Sequence, residues 1–237
     1  MATVLEIRAS SPINPDVIRA SRPSWPAMEY DSAYDKPIVG PTVQVTTMGI
    51  EGNASGFPTH ISDTINRAIL LFNEPTYATL KDKFPDAAES LVRGGFGENL
   101  VVNHPNFVPF EVCVGDKYQI GNVVCMVTGP RAPCPKVDGW HGVKGMTAYC
   151  RENGLAGYFM KVLQEGTFSV GDEVLLLERK YPGYSIERIA QGLWGPSEVK
   201  DDSLEFLTSL ANMEELIGRH YRETAQTRLD RIATRTD

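Results

Sequence analysis

Cys134 stands in the run Gly129-Pro130-Arg131-Ala132-Pro133-Cys134-Pro135-Lys136. A cysteine thiolate is both a nucleophile and a soft metal ligand. Arg131 and Lys136 favour the thiolate electrostatically. Pro133 and Pro135 fix φ on either side and remove two N–H donors, so the loop is stiff. Upstream runs Gly94-Gly95-Phe96-Gly97-Glu98-Asn99-Leu100. Its glycines permit close backbone approach. The Glu98 carboxylate accepts hydrogen bonds, and the Asn99 amide both donates and accepts them. Together the two stretches read as a small-molecule or cofactor site. The competing readings are structural: a buried cysteine in a tight turn, and a strand-entry turn capped by Asn99.

Other residues suit the same site. Arg131 and Lys136 could hold a phosphate, arginine through its fork and lysine as a point charge. Arg67, inside the apolar run Asn66 to Phe72, is a third candidate anion binder, with a structural ion pair as its rival role. His60 and His141 could move protons near neutrality; loop histidines in solvent are the rival reading. Cys113, Cys125 and Cys150 read as core residues. No Cys/His spacing suits zinc.

The 237 residues suffice for one large domain or two small ones. A net charge of -7 with no basic cluster argues against nucleic acid as the main partner. Four cysteines in a chain with this much apolar core argue for reduced thiols, and no signal peptide or membrane span is apparent. A cytoplasmic protein is expected.

Thr3 to Arg8, Val43 to Thr46 and Tyr118 to Thr128 alternate and read as strands, the last as a hairpin. Val174 to Glu178 is a further strand, as is the buried run Asn66 to Phe72; Tyr158 to Gln164 and Ala27 to Tyr34 are candidates. The prolines of Ser10 to Pro26 suggest an irregular excursion. Helices are expected from Asn73 to Phe84, from Asp86 to Val92 and from Val143 to Glu152. Val114-Gly115-Asp116 and Val170-Gly171-Asp172 share one logic, a Gly-Asp turn feeding a strand. After Lys180 the pattern changes: Ser185 caps a helix with Ile186, Ile189, Ala190 and Leu193 on one face. Two more helices follow, Ser203 to Leu210 and Met213 to about Ile232. The expected fold is mostly β with α, a barrel-like domain over 1–180 and a helical extension over 181–237.

Phe96-Gly97-Glu98-Asn99-Leu100, Val114-Gly115-Asp116 and Pro130-Arg131-x-Pro133-Cys134-x-Lys136, in this order, resemble the MOSC domain, named for the C-terminal domain of molybdenum cofactor sulfurase. The helical tail resembles the stand-alone subgroup that confers resistance to 6-N-hydroxylaminopurine. The likeness spans residues 27 to 235. It implies a β-barrel with peripheral helices and a molybdopterin-type cofactor. The metal would be ligated by Cys134, with Phe96, Gly97, Glu98 and Asn99 on the pterin side. Where relatives carry Gly-Asp and then His-Gly-Gly-Pro-Asp-(Arg/Lys)-Ala, this chain has Gly52-Asn53 and then His60-Ile61-Ser62-Asp63-Thr64-Ile65-Asn66-Arg67-Ala68.

The resemblance implies an oxidoreductase that reduces N-hydroxylated small molecules with electrons from a separate reductase. The chain has no dinucleotide, haem or iron–sulfur motif to supply them. Two other readings stand beside it. One is a carrier or sensor of the cofactor or of sulfur on Cys134. The other, suggested by the absent His-Gly-Gly turn, is a barrel reused as a metal-free enzyme or binding protein. Homodimer assembly is compatible with all three.

Overall fold

The computed structural model describes residues 1–55, 63–103, 108–196, 203–216 and 218–234. Its frame is a seven-stranded sheet of β1 (Thr3–Ile7), β4 (Ile69–Asn73), β5 (Leu100–Asn103), β6 (Lys117–Ile120), β7 (Val123–Pro130), β8 (Tyr158–Gln164) and β10 (Val174–Glu178). The spatial order is β1-β5-β4-β8-β7-β6-β10. Only β4 and β5 run parallel. They are joined through α2 (Glu74–Lys83), which packs on both of them. The sheet curls into a half-barrel, and its two edges meet. Val4 N–H donates to Asp172 C=O at 3.0 Å, Gly171 N–H to Val4 C=O at 2.9 Å, and Val174 N–H to Ala2 C=O at 2.9 Å. These bonds occupy backbone groups that a bare edge would leave open. A small second sheet of β2 (Thr42–Thr46), β3 (Gly49–Ile50) and β9 (Gly166–Ser169) has the order β3-β2-β9.

The alternating pattern of Tyr118 to Thr128 forms the β6/β7 hairpin, turning at Gly121-Asn122. Both Gly-Asp turns fold alike. Gly115 and Gly171 have φ of 82° and 90°, and each aspartate accepts from an amide three residues back. Cys113 N–H reaches Asp116 Oδ2 at 2.9 Å, and Ser169 N–H reaches Asp172 Oδ2 at 2.7 Å. Asp116 also receives Arg179 and the Tyr118 hydroxyl, which explains a fully buried carboxylate.

Four local expectations are corrected. The excursion Ser10 to Pro26 contains α1 (Pro15–Ser21), because Asn14 Oδ1 accepts from Asp16 N–H at 2.8 Å and Pro15 fits the first turn. Ala27 to Tyr34 is no strand; a single bridge, Ile13 to Ser32, is all that pairs there. The helix expected over Asp86 to Val92 is a short 3₁₀ turn, Pro85–Ala87. The helix expected from Val143 starts at Met146, as α4 (Met146–Asn153), because Gly145 sits at φ 89° and breaks the path. Between them lies α3 (Lys136–His141), directly after the cysteine.

The tail forms α5 (Ile186–Trp194), α6 (Ser203–Asn212) and α7 (Gly218–Ala233). Ser185 caps α5 by accepting from Arg188 N–H at 3.2 Å. Ile186, Ile189, Leu193, Leu207, Leu210 and Tyr221 join the same apolar core as Leu71, Leu100, Val127 and Met160 of the sheet. A second core gathers Trp25, Tyr34, Phe72, Tyr77, Phe96, Val137 and Trp140. It lies under the two chemically rich loops.

Candidate functional site at the Cys134 loop

The glycine-rich loop is built around one carboxylate. Glu98 is fully buried. Its Oε1 accepts from Gly94 N–H at 2.5 Å and from the Tyr77 hydroxyl, and its Oε2 accepts from Phe96 N–H at 3.0 Å. These charge-assisted bonds fix the loop's shape and leave the carboxylate committed inside it. Asn99 works next to it: its Oδ1 accepts from Leu70 N–H at 3.1 Å and its Nδ2 donates to Arg8 C=O at 3.1 Å. It thereby stitches the start of β5 to β4 and to the end of β1. Gly97 has φ of 65°, and a Cβ there would meet Tyr34 O at 2.8 Å. Only glycine fits without moving the 33–36 segment. Phe96 is buried and stacks on Phe72 at 4.7 Å.

The two loops are tied by Arg131, whose Nη1 donates to Phe96 C=O. Its guanidinium also lies 5.5 Å from the centroid of Tyr34. Beyond it Cys134 is exposed, whereas Cys113, Cys125 and Cys150 are buried. Burial pushes the thiols of Cys125 and Cys150 up to about 12, so they stay protonated. The Cys134 carbonyl accepts from Val137 N–H at 3.0 Å and from the Thr147 hydroxyl at 3.2 Å. Asp138 completes this support, accepting from Thr147 N–H at 2.6 Å and from Gly145 N–H at 3.1 Å.

Three cations converge here, and one was not singled out in the sequence. Lys36 donates from Nζ to Ala33 C=O at 2.6 Å and to Gly97 C=O at 2.9 Å. Burial, reinforced by the Arg131 and Lys136 charges, brings its pKa down to about 7. Lys136 lies 4.9 Å from the centroid of Tyr30 and 5.9 Å from that of Trp25. Burial lowers its pKa, Arg131 adds to the effect, and the Cys134 sulfur opposes it. Tyr30 and Tyr34 also feel the Cys134 sulfur. The 30–36 segment therefore forms one wall of the site. Its only marks in the sequence were aromatic content and a proline after Lys36, both compatible with an ordinary loop.

The remaining candidates are dispersed. Arg67 pairs with Asp63, Nε to Oδ2 at 3.2 Å, and its guanidinium is 5.2 Å from the Phe159 centroid. It also neighbours Tyr221 of α7, whose hydroxyl touches the Cys134 loop. His141 is buried at the end of α3, its Nδ1 2.8 Å from the Ser90 hydroxyl and its ring 5.2 Å from that of Phe96. Burial lowers its pKa to about 4, so it is neutral at physiological pH. His60 lies outside the described residues. Among the described residues no three His, Cys, Asp or Glu side chains cluster as a metal site. No described helix is long and apolar enough to cross a membrane.

The family model for the MOSC domain matches residues 57–175, half of the chain and both loops. The chain belongs to the MOSC domain family. A protein called Reductase from Gibberella moniliformis is 31% identical over 158 residues, covering 66% of this chain and 27% of that protein. YflK of Bacillus subtilis is 36% identical over 97 residues, 41% of this chain and 43% of YflK. The chain thus spans less than half the length of either relative. The crystal structure of YiiM from Geobacillus stearothermophilus superposes with a TM-score of 0.71 at 22% identity, covering 97% of this chain and all of that one. The helical tail of this MOSC protein is therefore part of the shared fold.

Proposed function

We propose that this MOSC protein binds a molybdenum cofactor through Cys134 and reduces N-hydroxylated small molecules. The observation that carries the reading is an exposed thiol on the loop that carries Arg131 and Lys136, with the Lys36 charge acting together with both, the Glu98 carboxylate committed inside its own loop and the Asp138 carboxylate bonded to Thr147. The donor set fits the group. A single soft thiolate suits a metal that arrives with its own organic ligand, and three cations suit the phosphate such a ligand carries. The relative called Reductase adds support for the direction of the chemistry.

In this reading Cys134 would be the protein's ligand to the metal. Arg131 and Lys136, with Lys36 behind them, would hold the cofactor's anionic end, and the Phe96-Gly97 turn, whose backbone groups are bonded to Glu98, Arg131, Lys36 and Gly94, would serve as the rigid support under them. When bound, the cofactor supplies the two-electron chemistry at its metal. The protein's own residues bind, orient and handle protons. Lys36, brought to about 7, changes its charge near neutrality, and burial also lowers the pKa of Lys136. Tyr30 and Tyr34 form the wall beside the thiol. A separate reductase would deliver the electrons.

The test is elemental analysis of protein made in a host that synthesises the cofactor, beside Cys134→Ala. Near-stoichiometric molybdenum that vanishes in the variant, together with reduction of a hydroxylamine by an artificial donor, is the expected result. Molybdenum without turnover would favour a carrier. Molybdenum in neither protein would overturn the reading.

A further inference from the structure

β7 leaves the sheet at Pro130, its last residue paired to β8. Two backbone groups beyond that point have no strand to bond: the Pro130 C=O on its outer side and the Ala132 N–H. Buried groups of this kind require partners. Both find the same one. The Tyr221 hydroxyl donates to Pro130 C=O at 2.8 Å and accepts from Ala132 N–H at 3.0 Å. Tyr221 is 1% exposed, in the first turn of α7. Its ring packs against Trp194 of α5 at 5.2 Å and its hydroxyl neighbours Arg67. One phenol from the far end of the chain therefore pins the backbone on either side of Arg131. The Arg131 N–H is held independently by Gly157 C=O at 2.9 Å.

We infer that Tyr221 is a positioning residue: through its hydroxyl the helical tail sets the path of residues 130–134, and so the aim of Arg131 and the placement of Cys134. The effect passes through the Pro130 and Ala132 backbone. The inference concerns the site described above. Its structural core, a loop ordered by the tail, holds whether or not the site takes molybdenum.

The experiment compares wild type, Tyr221→Phe and Leu210→Ala. The phenylalanine removes one oxygen and keeps the ring. Leu210 is buried in α6 and carries no hydrogen-bonding group, so Leu210→Ala weakens the tail while leaving the Tyr221 hydroxyl in place. A nitroxide is attached to the exposed Cys134 of the cofactor-free protein and its spectrum recorded. The spectrum should sharpen in Tyr221→Phe and not in Leu210→Ala. The Ala132 amide should exchange about tenfold faster in Tyr221→Phe, the loss of one hydrogen bond, with the Arg131 amide unchanged. An unchanged nitroxide spectrum and unchanged Ala132 exchange would overturn the inference. If Tyr221→Phe does not fold, wild type decides: in low denaturant the Ala132 amide should open together with the amides of α7. Opening with β7 instead would overturn it. Molybdenum content, measured on all three proteins from a cofactor-making host, should fall in Tyr221→Phe alone. Absence of molybdenum from wild type would count against the proposed function, and the spin-label result would still decide the clamp.

Discussion

Arg131 donates to the carbonyl of Phe96, and this bond joins the two halves of the motif across the floor of the site. The guanidinium is held between that carbonyl and the face of Tyr34, so its position is set before any ligand arrives. Arg131→Met keeps the length of the stem and removes both interactions. A stability loss of about 1.5–3 kcal/mol in urea unfolding is expected, the range for a hydrogen bond involving a charged group. Retention of molybdenum should fall with it. Full metal content in Arg131→Met would show that the arginine is a structural tie and no more.

Glu98 and Tyr77 give a second prediction. The carboxylate accepts three donors with no exposure to water. Burial, with the Glu98 charge adding, holds the Tyr77 phenol well above its usual range, so it remains a donor. Glu98→Gln is nearly isosteric but turns one acceptor into an NH₂ facing donors. The variant should lose about 2–4 kcal/mol, the cost of an unpaired buried donor plus a lost charge-assisted bond. The loss should appear in the cofactor-free protein. A variant as stable as wild type would mean that the loop is not organised by this carboxylate.

His141 carries a pH dependence. Its folded pKa is about 4 and its unfolded one about 6.5. Between those values the unfolded chain binds more protons, so stability rises with pH across the window and falls as pH drops from 6.5 towards 4. The effect cannot exceed about 3.4 kcal/mol, at roughly 1.36 kcal/mol for each pKa unit. His141→Gln retains a group for Ser90 but has nothing to protonate. The stability gap between wild type and His141→Gln should therefore narrow by up to about 3 kcal/mol from pH 7 to pH 4. A constant gap would mean that the imidazole is solvated.

The strands and the two loops were legible because local pattern and tertiary role agree there. Lys117 to Val124 alternates because one face there is core, while from Cys125 to Pro130 both faces of β7 are buried, and each Gly-Asp turn is fixed by a glycine φ and a carboxylate three residues from the amide it caps. α1 was missed because Asn14-Pro15-Asp16 can mark either a turn or a helix start, and the prolines around it favoured the turn. The site was legible only in its own two loops. Lys36 and Tyr221 lie outside the matched family region, one before a proline and one on a charged helix. Nothing local distinguishes either from a surface residue; their roles exist only once the chain brings Gly97 and Pro130 to them. Glu98 shows the reverse case. The residue type suggested a ligand contact, and the fold uses its charge to shape the loop.

Lys36 supplies the last prediction, which concerns anion affinity. Its folded pKa is about 7, so the site loses one positive charge as pH rises through neutrality. An anion bound beside Arg131 and Lys136 would hold Lys36 protonated, and by linkage the protonated form binds the anion more tightly. Sulfate is the suitable probe because its charge is constant over this range. Calorimetry on the cofactor-free protein should show sulfate affinity falling about tenfold from pH 6 to pH 8.5, the effect of one nearby charge at partly screened distance. In Lys36→Met the affinity should match the weak, high-pH value of wild type at every pH. Arg131 and Lys136 remain in that variant, so residual binding is expected. If wild type and Lys36→Met share one pH profile, the lysine is only a strut between Ala33 and Gly97, and the anion site reduces to the two cations that flank the cysteine.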